Sequence, residues 1–504
     1  VALGEHALKL NTTGHSNIAI GYKANDAADT ENNNIAIGLD ALGSAVAGGE
    51  LNVAIGNYAL DALTSADANV AVGHQAGSAV TTGIYNTLVG YQSGLATTEG
   101  AQNTFLGRAA GTANTTGGVN IAIGDGAYDA ADTESNNLAI GVNALGGAVA
   151  GGEFNVAIGN TSLDALTSGD YNTAVGYGAG TDLTSGERNT FIGHEAGKDC
   201  IGGGQNVAIG DNAGGGALST AAGRNIMIGR NAGAAVTSGD SSVYIGFEAG
   251  KLITIASDNV AIGTGALDAA VVERRNVAIG RNALSAHRTT ASTVNDTGNT
   301  AVGFYAGAII TTGGGNTAVG QNALATRLTT GSNNVGVGTG VNMNNSGNSN
   351  GIVIGHNIEG NENRVVFGKA SNVIENTFTS NANWAQSSDQ RLKTNITDND
   401  LGLDFINEVP TKTYKWKASN DLDQDDPQLA KRYNAENLMD TDVLMYGMMA
   451  QDVKDAIIKY NHPNFTGWSE DAYGVQNISR EMFIIPLIKA VQELSAKVKA
   501  LEEA

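Results

Sequence analysis

No tryptophan occurs before Trp384 and no proline before Pro410. The four prolines are Pro410, Pro427, Pro463 and Pro486. Glycine runs the other way: of 69 glycines, only Gly402, Gly447, Gly467 and Gly474 follow Ser388. The 504-residue chain therefore has two regimes, with a boundary near 370–390, and is longer than one ordinary domain needs. Basic residues are scarce, 28 against 50 acidic ones, for a net charge of −22. That excludes wrapping nucleic acid, because neutralising phosphates needs Lys and Arg. No run of about 18 apolar residues exists, so no transmembrane helix and no membrane insertion is expected. Cys200 is alone and cannot form an internal disulfide. Val1 falls in mid-repeat, so the reading expects further chain before it.

Several chemistries lack their residues. The seven histidines show no H-x-H or H-x-x-x-H pair, so no metal site is expected. No Asp/Glu cluster recurs at a fixed height along the repeat, so a sugar-cleaving site has no candidate. "GVGTGVN" at 336–342 precedes no helix start and reads as a repeat turn, not a phosphate loop. The "GGxGxD" series of calcium-binding nonapeptides is missing. No cofactor is expected.

What is present is a repeat. The glycine of "AIG" or its variants recurs from Gly4, Gly21 and Gly38 through to Gly355, usually every 17 residues. Steps of 18 and 19 appear, and one of 23 between Gly280 and Gly303. A longer duplication overlies it: "ALGSAVAGGELNVAIGN" at 41–57 returns as "ALGGAVAGGEFNVAIGN" at 144–160. Each unit reads Asn-(Val/Ile/Thr)-Ala-(Ile/Val)-Gly-x-x-Ala-(Gly/Leu), then a polar turn. Counting from the repeat glycine, apolar residues at −3 and −1 alternate with Ala at −2, a strand pattern of period two. This predicts a solenoid coil with Val and Ile inside and a second short strand carrying the Ala at +3. Asn fills position −4 almost everywhere, with Ser242 an exception. A structural ladder explains so many copies better than a ligand site does. About twenty coils at about 4.8 Å each give roughly 100 Å of shaft. A 17-residue coil encloses little core, so lateral association into a symmetric homo-oligomer is expected.

After Asn395 the sequence reads as ordinary globular protein. "LGLDFINEV" predicts a short helix stopped by Pro410, and "TKTYKWKA" and "VLMYGMM" predict strands. "AQDVKDAIIKY" predicts an amphipathic helix, and "NHPNFTGWSED" a loop. "PLIKAVQELSAKVKALEEA" predicts a helix with Pro486 in its first turn. Its apolar residues Leu487, Val491, Leu494, Val498 and Leu501 alternate spacings of 4 and 3, a coiled-coil seam.

Two resemblances attach to these residues. The "NVAIG" unit resembles the head repeats of trimeric autotransporter adhesins, and "NTAVGYGAG" at 172–180 resembles the repeat arrays of phage tail fibres. They imply a trimeric left-handed parallel β-roll over about 1–370. "SDQRLKTNI" at 388–396, "GMMAQDV" at 447–453 and "PLIKAVQEL" at 486–494 resemble the intramolecular chaperone auto-processing domain. That domain ends many phage tail fibres and endosialidases and occurs in myelin regulatory factor proteins. Met448 and Asp452 depart from its usual pattern of an aromatic or aliphatic residue and Glu.

The resemblance implies self-cleavage between Ser387 and Ser388. Ser388 would be the nucleophile, Lys393 the base, and Asp389 and Arg391 would order the motif. Chemistry asks the same of a serine: it needs a base, and Lys serves only when its pKa is lowered. Five residues apart, Ser388 and Lys393 meet only through a turn or across subunits.

The expected protein is mostly β: a repetitive β-solenoid shaft at 1–370, a linker at 371–387, and an α+β auto-processing domain at 388–504 ending in a trimeric coiled-coil helix. Its expected partners are two further copies, an upstream tail structure, and a host receptor that is a glycan or surface protein. The 23-residue step makes Arg288 a candidate receptor contact. The expected location is the virion, as a tail fibre. The alternative is a bacterial trimeric surface adhesin, which would end in a membrane-anchor segment where this sequence reads "KALEEA".

Overall fold

A computed structural model describes the chain except residues 45–47, 148–150, 220–221, 289–294, 371, 378–389, 391–393, 427, 431–432, 434, 437–440, 472–473 and 504. The chain divides into two compact units, Val1–Gln386 and Ser387–Ala504.

The first unit is a β-solenoid. Most coils contribute a three-residue strand to one sheet, 23-stranded among the described residues. Neighbouring strands pair in parallel with the repeat in register: Ile18 opposite Ile35, Ala19 opposite Ala36, Ile20 opposite Ile37. The stack ends at Arg364–Lys369, against which Asn372–Thr377 runs antiparallel. The sheet thus extends into the stretch that the sequence marks as a linker.

The interior differs from expectation in two ways. The Ala at −2 points inward and is fully buried in coil after coil: Ala19, Ala36, Ala54, Ala71. Val and Ile at −3 and −1 point outward, half-exposed, as in Ile18–Ile20 and Val53–Ile55. The reason is volume. One short coil leaves the strand and the returning chain too close for Val or Ile to face inward at every level, so the small residue takes the inside. The expected second strand is also replaced in most coils. The Ala at +3 is buried, as Ala24 and Ala41 are, but it lies in a turn. Its neighbours at +2 and +4 are left-handed, with Lys23 at φ 54° and Asn25 at φ 52°. Left-handed residues cannot continue an extended strand. The coil-to-coil hydrogen bonds survive: Asn25 N–H donates to Ala41 O at 2.9 Å, and Leu42 N–H to Ala59 O at 3.0 Å.

The repeat glycine is required twice over. Gly21 and Gly38 have φ of 134° and 140°. A Cβ on Gly21 would overlap the carbonyl of Gly38 in the next coil. No L-residue fits either demand.

The asparagine ladder is present. Asn34 N–H donates to Asn17 Oδ1 at 2.9 Å, and Asn52 N–H to Asn34 Oδ1 at 2.9 Å. Each side-chain amide then donates forward; Asn34 Nδ2 reaches Gly49 O at 2.9 Å. All three residues are buried, so every polar atom of the amide needs such a partner. Ser242 keeps the ladder with its hydroxyl, which accepts from Asn259 N–H at 3.1 Å.

The second unit is α+β. Helix α1 is Leu403–Glu408, α2 is Ala450–Lys459 and α3 is Ile484–Glu502. Lys412–Tyr414 pairs antiparallel with Met445–Gly447. Trp468–Glu470 pairs with Gln476–Ile478, where the sequence suggests only a loop around Trp468. The core gathers Leu401, Phe405, Val409, Val453, Ala456, Ile457 and Phe483. Phe405 lies at its centre, with the rings of Tyr460, Phe465 and Phe483 around it. Among the described residues, no helix is long and apolar enough to cross a membrane.

Candidate functional site

The residues expected to cut the chain, Ser387, Ser388, Asp389, Arg391 and Lys393, lie outside the described residues. The second and third motifs lie among the described residues.

"GMMAQDV" turns a strand into a helix. Gly447 ends the strand, Met448 and Met449 cross over, and α2 starts at Ala450. Val453 plants the helix in the core. Asp452, in the first turn, pairs with Lys412 Nζ at 2.6 Å and so ties α2 to the Lys412–Tyr414 strand. The shorter carboxylate still reaches its partner, and its charge suits a helix N-terminus. A cleft of about 520 Å³ opens beside this N-terminus, lined by Tyr414, Trp416, Met448, Met449, Ile478 and Arg480. Arg480 donates to the Tyr414 hydroxyl at 3.3 Å across it. The cleft is mostly apolar with two cations, Lys415 and Arg480, in its lining, a surface suited to an extended peptide.

"PLIKAVQEL" does two things. Glu493 turns inward to α1, where its Oε2 accepts the Leu403 N–H at 2.8 Å. It caps α1 from 90 residues away, and a Cβ on Gly402 would collide with its carboxylate. No spacing in the sequence announces such a contact, and Glu493 was not among the expected functional residues. Among the described residues, the other face of α3 has no partner. Leu487, Val491, Leu494, Val498 and Leu501 are 46–79 % exposed, and Ile484, Ile485 and Ile488 beside them 49–58 %. Ile484, Leu487, Ile488 and Val491 line a shallow groove of about 360 Å³.

Three solenoid residues raised by the sequence are also placed. Arg288 is exposed, and its N–H bonds Thr311 O at 2.9 Å, just before the residues of the long step that lie outside the description. His287 is buried beside it at a core position; its Nε2 lies 3.0 Å from Thr297 Oγ1, and burial lowers its pKa. Cys200 occupies the corresponding core position of another coil, where burial pushes its thiol up to about 12. A thiol in that state is an inert packing group.

The fold defines a class: a β-solenoid followed by a small α+β unit. Residues 388–461 match the family described as the chaperone of endosialidase. The match begins at Ser388 and ends after α2, short of α3. No curated protein and no solved structure matches the chain.

Proposed function

We propose that the chain is the distal part of a viral tail fibre: a trimeric β-solenoid shaft whose C-terminal unit templates trimerisation and then cuts itself free. The observation that carries this is the match to the chaperone of endosialidase, placed directly after a long solenoid. Two exposed apolar surfaces support the trimer. One is the α3 seam from Leu487 to Leu501. The other is the outward row at −3 and −1, where Ile55, Leu106, Ile121 and Ile192 are 37–45 % exposed. Apolar surface repeated at this length is what lateral association removes from water.

The cut falls between Ser387 and Ser388. Lys393 accepts the proton of the Ser388 hydroxyl, and Oγ attacks the Ser387 carbonyl. The Ser387–Ser388 C–N bond breaks as the C–O bond forms, and the released amine of Ser388 takes a proton. Water then hydrolyses the ester, leaving a new carboxylate on Ser387. Asp389 and Arg391 order the segment. The shaft binds a host surface receptor, and Arg288 at the long step is a candidate contact.

The test is cleavage mapping. The wild-type chain should yield fragments ending at Ser387 and beginning at Ser388. Ser388→Ala and Lys393→Ala should stay full length and trimeric. Unchanged cleavage in Ser388→Ala removes the assigned mechanism, and a monomeric shaft in solution scattering removes the trimer.

A further inference from the structure

Position −5 forms a continuous exposed row down the solenoid, each residue held left-handed. Phe154, Tyr171, Arg188, Gln205 and Arg224 occupy it in five successive coils, with φ from 57° to 60°. Phe154 and Tyr171 lie parallel, with ring centroids 5.1 Å apart and planes within 4°. Arg188 sits over the Tyr171 ring at 5.6 Å. Beyond it the neighbouring row at −6 runs through Glu187 and then two glycines, Gly204 and Gly223, whose backbones bridge. The missing side chains open a cleft of about 420 Å³, walled by Glu187, Arg188, Gln205 and Arg224.

The cleft is charge-balanced. Arg188 pairs with Glu187 at 3.0 Å and Arg224 with Asp240 at 3.3 Å. It therefore offers many planar donors and acceptors without a net field, on a chain whose charge of −22 repels polyanions. Planar polar groups, a side-chain-free floor and an adjacent exposed aromatic pair match the needs of a sugar ring. Vicinal hydroxyls meet the carboxylate and guanidinium, and the sugar's C–H groups meet the exposed ring edges of Phe154 and Tyr171, the faces of Tyr171 being covered by Phe154 and Arg188.

The molecule contains its own control. The duplication places an equivalent cleft framework one block earlier. There the same left-handed positions hold Tyr85, Gln102 and Val119, with φ from 60° to 62°. Glu187 corresponds to Ile84, Gly204 to Ala101, and Phe154 and Tyr171 to Leu51 and Ala68. The scaffold forms without the polar walls, so folding does not require them. By contrast, the stacked pair at +1 is kept with its order exchanged, His74 on Tyr91 and Tyr177 on His194. That is the behaviour of a packing constraint, which the cleft walls do not show.

We propose that this cleft, together with the exposed edges of the Phe154–Tyr171 pair, binds a neutral oligosaccharide. The inference goes beyond the tail-fibre reading and does not depend on cleavage or on Arg288. The test is affinity electrophoresis of the full chain through gels carrying neutral polysaccharides (dextran, mannan, galactan, xylan) and an acidic one (polygalacturonate). Wild type should be retarded by at least one neutral polymer. Arg188→Tyr with Arg224→Val, residues that the earlier block already accommodates, should weaken that retardation at least tenfold while the oligomer stays intact. Tyr171→Ala should weaken it too. No retardation by any neutral polymer, retardation by polygalacturonate alone, or retardation unchanged in the variants would each overturn the proposal.

Discussion

Inside a 17-residue coil, the residue at −2 and the residue at +4 compete for the same space. Where −2 is Ala54, position +4 is Leu60; where −2 is Phe105, position +4 is Gly111. A Cβ on Gly111 would lie within the Phe105 ring, and one on Gly250 within the Tyr244 ring. Phe105→Ala should therefore leave a cavity costing about 3–5 kcal/mol. Adding Gly111→Leu should recover much of it, because Leu60 already adopts the left-handed backbone there, with φ 51°. Unfolding temperatures at one scan rate would show this. A double variant no more stable than Phe105→Ala would refute the shared-space account. A second residue-scale device is Glu31, buried, whose carboxylate accepts the amides of Asp29, Thr30 and Gly48. Burial raises its pKa, but the amide bonds outweigh it and the net shift is down from 4.5. The folded value lies below the unfolded one, so Glu31 contributes its full stability above about pH 4.5 and loses it as pH falls through the folded value. Glu31→Gln should destabilise by about 1–3 kcal/mol at pH 7. The gap to wild type should close in melts run at progressively lower pH.

At the scale of elements, the period of the repeat was legible and its inside was not. Alternation over three residues is satisfied by either face, and counting apolar atoms favours Val and Ile inward. Coil volume decides for Ala, and volume depends on how the chain returns, which local pattern does not encode. The helices were legible because their signals are local: Pro410 after α1, and Pro486 in the first turn of α3. The Glu493 cap on α1 was not, since it joins residues 90 apart. The seam of α3 was read from spacing, and its exposure keeps it available to other copies. Leu494→Asp should convert the proposed trimer to monomer, because a charge in the seam is desolvated in all three helices. The cap and the core lie on other faces, so the circular dichroism of the C-terminal unit should persist. A trimer in sedimentation experiments on this variant would place the contact elsewhere.

At the scale of the whole molecule, the repeat itself creates a folding problem. Every coil presents nearly the same outward row, so three chains can associate one coil out of step with most contacts intact. A template that sets the ends level before the shaft zips removes that degeneracy, and the exposed apolar face of α3 is the candidate for it. The proposed cleavage after Ser387 would then leave a shaft without the element that set its register. This predicts an asymmetry between unfolding and refolding. The cleaved wild-type shaft and the uncleaved Ser388→Ala trimer should unfold with similar half-times, since the same shaft contacts must break. After dilution from denaturant, Ser388→Ala should return to trimers of native length. The isolated shaft should give misaligned or aggregated species, because its near-identical coils do not define a unique register. Equal refolding yields for the two would show that the shaft carries its own register, and the C-terminal unit would then need another role.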